Sequence, residues 1–146
     1  MRAPDTQLYL HCVWATWDRL PLITPALEPA IYAAIQAKCH ALQSPCQAIG
    51  GRPDHLHVLV RLHPTLSVSN LLKEIKGSSS HLMTHTARPG EFFKWQGAYG
   101  AFTVSKPEAA QVIAYIEHQK EHHADGGLWD EWEQTMIVED KGESGD

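Results

Sequence analysis

The sequence lacks any hydrophobic run long enough to cross a bilayer, because no stretch approaches the roughly 20 apolar residues that a membrane span needs. Its first residues also lack the apolar core of a secretory signal. The three cysteines, Cys12, Cys39 and Cys46, form no CxxC pair, which disfavours a disulfide scaffold and a cysteine zinc site. We therefore expect a soluble, cytoplasmic protein whose thiols are reduced and packed.

An excess of basic charge is also missing, since the formal net charge at pH 7 is -5. The charge is unevenly distributed, however, because residues 125–146 hold eight of the 17 acidic groups and a single lysine. The residues before them carry 11 basic and 9 acidic groups, and such a mildly basic body is compatible with nucleic-acid binding. We therefore divide the chain into one folded domain at residues 1–124 and an acidic tail at residues 125–146.

Hydrophobic periodicity predicts an α+β fold. Strands are expected at 7–14, 46–50 and 55–62, with a strand or strand pair at 92–104. Helices are expected from Thr24-Pro25 to Leu42, from Ser67 or Ser69 to Met83, and from 106 to about 123. The second helix is expected to be weak in its middle, at 77–80. The order β-α-β-β-α-β is the ferredoxin-like split β-α-β arrangement, with its helices on one face of the sheet. The last helix is an addition at the C-terminal end.

Histidine is abundant, with ten histidines against twelve lysines and arginines, which raises the prior for metal or acid-base chemistry. In the strand at 55–62 side chains alternate, so His55 and His57 project from one face. Two imidazoles ~7 Å apart along a strand can bind one metal if a third ligand comes from elsewhere. By itself the pair is weak evidence for a metal site, because two ordinary half-buried histidines are the commoner explanation.

The last predicted helix carries a second set of polar groups. Tyr115, His118, Gln119 and His122 follow one another at helical spacing and form one polar stripe. Ala109, Val112, Ile113 and Ile116 form a separate apolar stripe for packing. Tyr, His and Gln are unusual on a solvated face, where Glu, Lys and Arg are more common, so the polar stripe is a candidate for chemistry as well as for plain exposure to solvent.

Several motifs, in this order along the chain, resemble a known family. They are Pro53-Asp54-His55-Leu56-His57, Lys76-Gly77, Trp95-Gln96-Gly97-Ala98-Tyr99, Val104-Ser105 and 114–123. Together they resemble the single-tyrosine transposases of the insertion-sequence 200/605 group, whose histidine pair is called HUH (His, hydrophobic, His), and the related REP-associated tyrosine transposases. The similarity runs from about residue 7 to residue 123.

The resemblance implies a function and its residues. His55 and His57 would bind a divalent metal, Mg²⁺ or Mn²⁺, Gln119 would be the third ligand, and Tyr115 would be the nucleophile. The enzyme would cleave single-stranded or hairpin-flanked DNA through a 5′-phosphotyrosine intermediate and rejoin strands. Family members are typically homodimers, in which the tyrosine helix can serve the partner's histidine pair in trans.

Contacts to DNA are expected from basic and aromatic side chains. Candidates for phosphate contacts are Arg52, Lys73, Lys76 and Lys94, and Trp95 or Tyr99 could stack on bases. Each of them is equally compatible with an ordinary role as a solvated charge or a core aromatic.

Three alternative functions stay open. A metal-dependent hydrolase would use activated water, and its DNA product would never become attached to protein. A domesticated nucleic-acid-binding protein would bind DNA without cleaving it. A replication initiator or relaxase shares the HUH chemistry, but it usually needs a longer chain with further domains.

Overall fold

The computed structural model describes residues 4–119, which form four strands and three helices. The strands are β1 (Tyr9–Ala15), β2 (Cys46–Arg52), β3 (His55–Arg61) and β4 (Gly100–Val104); the helices are α1 (Glu28–Ala41), α2 (Val68–Leu82) and α3 (Ala109–Glu117). The strand order is β2-β3-β1-β4, and every neighbouring pair is antiparallel. The predicted split β-α-β arrangement is therefore confirmed.

The strands β1 and β3 sort their side chains onto two faces of the sheet. Cys12 is opposite Val58 in the register, and Trp14 is opposite Leu56. These residues are fully buried in the main hydrophobic core, to which α1 and α2 contribute, among others, Ile31, Ile35, Leu71 and Ile75. The two helices thus cover one face of the sheet and leave the other face to the histidines.

The third helix packs on the opposite face. Val112 and Ile116 of α3 lie in a second apolar cluster with Leu59 of β3 and Ala48 of β2. The expected separation of apolar and polar stripes on this helix is wrong, because Tyr115 is buried in the same cluster. A helical wheel gives the relative angles of side chains, but the tertiary packing decides which of them meet the sheet.

The start of α1 also differs from the prediction. The backbone amides of Leu27 and Glu28 donate to the carbonyl of Thr24, at 3.0 and 2.9 Å, which closes a separate turn before the helix. The helix then begins at Glu28 with Pro29 in its first turn, where a missing N–H costs no hydrogen bond. Pro29, and not Pro25, is therefore the proline of the helix start.

The helix α2 runs through Gly77 and the serines after it without interruption, so the expected weak middle is not seen. Ser67 caps it, since its hydroxyl accepts from the amide of Asn70 at 3.1 Å. Ser79 donates to the carbonyl of Ile75 at 2.8 Å, so its hydroxyl is satisfied inside the helix. A π-helical turn, Met83–Ala87, follows.

The segment before β4 is largely not a strand. Lys76 of α2 directs its ammonium to the carbonyls of Gln96, Gly97 and Ala98, at 2.6, 3.3 and 3.5 Å. These carbonyls accept hydrogen bonds from the cation instead of from a neighbouring strand, so β4 begins only at Gly100. Trp95, a candidate for base stacking, forms a single bridge to Thr16 and is buried in the core.

Among residues 4–119, no helix combines the length and the hydropathy that a bilayer crossing would require. The tail proposed at residues 125–146 lies outside the described residues, and so does His122.

Candidate active site

The two predicted ligands, His55 and His57, lie together on the face of the sheet that α3 covers. Both imidazoles are buried, and their ring centroids are 5.3 Å apart. Across the sheet, His55 is opposite Ala15 and His57 is opposite Val13. These two β1 side chains are small, so the register leaves space for the rings on this face.

Each imidazole is held at Nδ1 by a different group. Nδ1 of His55 lies 2.8 Å from a carboxylate oxygen of Asp54, and Nδ1 of His57 lies 2.9 Å from Nε2 of His11. Metal-binding histidines usually have their second nitrogen engaged in this way, which fixes the orientation of the ring. With Nδ1 engaged on both rings, a metal would be bound through Nε2.

Asp54 is ionised because of its neighbours. Burial alone would raise its pKa, but the hydrogen bond and the charge of His55, together with Arg19, outweigh burial and lower the pKa of Asp54 to about 2. The Arg19 Nε lies 3.3 Å from the second carboxylate oxygen. As a carboxylate, Asp54 can only accept, so the nitrogen of His55 that faces it donates.

Tyr115 of α3 reaches the same face. Its ring centroid lies 5.3 Å from that of His57 in an edge-on contact, and 6.3 Å from that of His11. The residue is only 3% exposed. The structure therefore brings the predicted nucleophile and one predicted ligand into direct contact within a single chain.

Gln119, the third predicted ligand, lies just beyond the end of α3 and is also buried. Its amide nitrogen donates to the carbonyl of Tyr115 at 3.4 Å. It borders a cavity of about 220 Å³ between α1, β2 and the end of α3, lined among others by Gly50, Gly51 and Tyr32. Across residues 4–119, no trio of His, Cys, Asp and Glu side chains comes together in a geometry for a metal, so the only predicted third donor is this amide.

Sequence reasoning missed His11. The sequence places His11 only within the predicted first strand at 7–14, yet it is fully buried and its ring stacks on that of His57, with centroids 5.1 Å apart and planes at 30°. The available signal was a polar residue in an otherwise apolar central strand. Its meaning depended on the pairing of β1 with β3, which one strand alone does not reveal.

The predicted DNA contacts are in different parts of the fold. Arg52 ends β2 directly opposite His55. The ammonium of Lys94 lies 3.9 Å from the centroid of the Trp17 ring. The backbone amide of Trp17, which follows β1, donates to the carbonyl of Lys94. Lys73 is exposed on α2, on the other side of the sheet, and Lys76 of the same helix holds the loop before β4.

The model of the family described as "Transposase IS200 like" matches residues 5–119, which is most of the chain. The chain belongs to this family. The match includes His55, His57, Tyr115 and Gln119.

Known transposases are similar to this chain in sequence and in fold. The ISDra2 transposase TnpA of Deinococcus radiodurans is 34% identical over 73 residues, so the match spans 46% of this chain and about half, 51%, of that relative. A crystal structure of a candidate transposase from Deinococcus radiodurans R1 is 25% identical, with a TM-score of 0.63, and the match covers 82% of this chain and 95% of that one.

A third similar protein is a REP-associated tyrosine transposase in complex with a REP hairpin. It is 16% identical with a TM-score of 0.63, and the match covers 84% of this chain and 72% of that one. At that identity the likeness concerns the fold alone. The four-stranded antiparallel sheet and its helices are therefore those of transposases.

Proposed function

We propose that this IS200-like transposase nicks and rejoins single-stranded DNA, flanked by hairpins, with Tyr115 as the nucleophile and a divalent metal held by His55, His57 and Gln119. The observation that carries the proposal is the contact of Tyr115 with His57, with ring centroids 5.3 Å apart, on the face of the sheet that both histidines share. A tyrosine beside two oriented imidazoles is the pairing that such chemistry needs.

The donor set is compatible with a divalent metal. Two imidazoles whose Nδ1 atoms are held by Asp54 and His11, and one neutral amide from Gln119, are ligands that Mn²⁺ and Mg²⁺ accept, although imidazole favours Mn²⁺ in affinity. When bound, the metal would supply positive charge beside the scissile phosphate and so favour the transition state.

The chain's own part in the reaction is the transfer of a phosphoryl group. The phenol oxygen of Tyr115 loses its proton and attacks the phosphorus, the bond to the 3′ oxygen breaks, and that oxygen takes up a proton. The DNA is then linked to Tyr115 through its 5′ phosphate, beside a free 3′ hydroxyl. Attack by another 3′ hydroxyl reverses the step and joins strands without an external source of energy, because one phosphodiester replaces another.

Tyr115 must become accessible for this attack. The residue is 3% exposed near the end of α3, so a DNA phosphate reaches the phenol only when the groups that bury it move. The cavity beside Gln119 adjoins this end of the helix.

Two of the basic residues are positioned to contact the phosphates of a substrate DNA strand. Arg52 is opposite His55 in the sheet, and Lys94 lies beyond the end of β1, next to the turn that carries Asp54. We propose that these two contact the phosphates near the cleaved bond. The known complex of a relative of the same fold with a DNA hairpin supports a hairpin as the substrate.

The test is incubation with labelled single-stranded hairpin DNA from the flanks of the gene, with Mn²⁺, followed by a denaturing protein gel. A labelled adduct is expected, and it should disappear in Tyr115→Phe and on chelation. Tyr99→Phe is the matched control, because Tyr99 is a half-buried tyrosine that packs against the main core, and phenylalanine keeps the ring that base stacking would use. This variant should form the adduct normally.

Other outcomes identify the alternatives. Cleaved DNA without an adduct would point to a hydrolase that uses activated water. Binding that is equal in wild type and Tyr115→Phe, without cleavage on any flank sequence, would point to a domesticated binding protein. Homodimerisation stays a prediction, and sedimentation of the protein with and without DNA tests it.

A further inference from the structure

We propose that His11 is a positioning residue that holds His57 in its Nδ1–H tautomer, so that Nε2 of His57 carries the lone pair a metal requires. The metal part of this inference rests on the proposed function, whereas the tautomer can be observed without any metal. His11 lies on the central strand β1 and is not one of the predicted ligands.

The first step is the contact itself. Nε2 of His11 and Nδ1 of His57 are 2.9 Å apart, both residues are fully buried, and the rings stack with centroids 5.1 Å apart. At this distance one nitrogen carries the proton and the other accepts it. When both imidazoles are neutral, this bond has only two possible arrangements.

The second step is the consequence of each arrangement. If His57 donates from Nδ1, its Nε2 has a lone pair and can bind a metal. If His11 donates from Nε2, the proton of His57 is on Nε2 and that nitrogen cannot be a ligand. The hydrogen bond at one imidazole nitrogen thus determines what the other nitrogen can do.

The third step is the parallel with His55. The carboxylate of Asp54 accepts from Nδ1 of His55, which leaves the lone pair of that ring on Nε2. A metal shared by the two histidines needs the same tautomer of His57, and His11 is the group that contacts its Nδ1. His11 therefore has for His57 the role that Asp54 has for His55, with a neutral acceptor in place of a charged one.

The fourth step is the rigidity of His11. In the sheet His11 is opposite Leu59 on one side and Phe102 on the other, and its ring centroid is 6.1 Å from that of Phe102 and 6.3 Å from that of Tyr115. A ring confined on these sides keeps a constant position. The hydrogen bond then fixes the ring plane of His57 as well as its tautomer.

The decisive measurement is nitrogen-15 NMR of the metal-free protein at about pH 8, above the usual imidazole pKa near 6.5. The signals of His57 are identified by their loss in His57→Gln. We expect the Nδ1–H tautomer of His57 in wild type and in His11→Gln, whose amide oxygen can accept at the position of Nε2. In His11→Leu, which cannot accept, His57 should change to the Nε2–H tautomer that free imidazole side chains prefer.

Metal affinity is the second readout, measured by electron paramagnetic resonance of free Mn²⁺. His11→Leu should bind Mn²⁺ about 10- to 100-fold more weakly than wild type, as for the loss of other groups that orient a ligand, and His11→Gln should bind close to wild type. His40→Gln is the matched control, because His40 is exposed near the end of α1, and it should change neither readout.

The outcomes separate this inference from the proposed function. An Nε2–H tautomer of His57 in wild type would overturn the inference, even if DNA cleavage were normal, and so would an Nδ1–H tautomer that persists in His11→Leu. A wild-type protein with the expected tautomer but without measurable Mn²⁺ binding would instead contradict the metal-dependent function. If His11→Leu does not fold, the wild-type tautomer still tests the inference, because an Nε2–H proton on His57 would contradict it.

Discussion

Gly50 of β2 lies directly against the backbone carbonyl of Ile116 in α3. A Cβ at position 50 would overlap the carbonyl oxygen and lie 3.0 Å from the carbonyl carbon. Because both are main-chain atoms, they cannot rotate away as the end of a side chain would. The helix that carries Tyr115 can dock on the sheet only because position 50 has no side chain.

Gly50→Ala should therefore displace α3 from β2 and separate Tyr115 from His57. We expect the free energy of unfolding to fall by about 1–3 kcal/mol, as for other overpacked sites, and adduct formation to fall further than stability alone explains. Urea unfolding and the labelled-DNA gel measure the two effects.

Gly77→Ala is the control for this substitution, because Gly77 lies within α2 and nothing is within 4 Å of the position a Cβ would take. It should raise the free energy of unfolding by roughly 0.5–1 kcal/mol, since alanine favours a helix interior. Wild-type stability and wild-type adduct formation in Gly50→Ala would show that the helix does not depend on this contact.

Arg52 and Lys94 should contribute to DNA affinity, while Lys73 should not. Arg52 is opposite His55 and Lys94 contacts Trp17 beyond the end of β1, whereas Lys73 is exposed on the far side of the sheet. Arg52→Ala and Lys94→Ala should each reduce the slope of log affinity against log salt by about 1 for a lost phosphate contact. Fluorescence anisotropy with a labelled hairpin, in a Tyr115→Phe background, measures the slope; an equal effect of Lys73→Ala would contradict the proposed path of the strand.

Lys76 should contribute mainly to stability. Its ammonium bonds to three carbonyls of the loop before β4, so Lys76→Met leaves those acceptors without their cation. We expect a loss of about 1–2 kcal/mol in the free energy of unfolding. Lys73→Met, on the exposed side of the same helix, is the matched variant and should be nearly neutral. Equal stability of the two variants in thermal unfolding would rule out this role.

The three thiols should be unreactive in the folded protein. Burial raises the pKa of Cys46 to about 11, burial and the neighbouring Cys46 raise that of Cys39 to about 12, and burial raises that of Cys12 further. Because a raised pKa keeps a thiol protonated, only about one Cys46 in a thousand is a thiolate at pH 8. Iodoacetamide should therefore label the native protein slowly and three thiols after denaturation. Rapid labelling of native Cys12 or Cys39 would disagree with their burial.

The topology of the fold could be predicted because each strand and helix has its own local signal. The alternation at His55 and His57 gave the correct face, and Ser67 gave a correct helix start. The segment before β4 could not be predicted in this way. Its aromatic residues favour a strand, but the ammonium of Lys76 from a distant helix takes up the carbonyls that a strand would use.

The candidate site was predictable in its residues but not in its contacts. Tyr115 was expected on a polar stripe apart from the packing face, yet it is buried with Val112 and Ile116. The local signal of His11, a polar residue in an apolar strand, did not reveal its function, because its partner His57 is 46 positions away. Both outcomes depend on how elements meet, which is a property of the tertiary structure.

Because side chains alternate along β1, the pairing of this strand determines both the stability of the protein and the geometry of its candidate site. Cys12 and Trp14 belong to the core on one face, and His11 belongs to the site on the other. A shift of one residue in the pairing with β3 would exchange the two sets. An insertion or deletion within β1 is therefore expected to abolish folding and chemistry together, with no partially active intermediate, whereas point substitutions can alter either one in degrees.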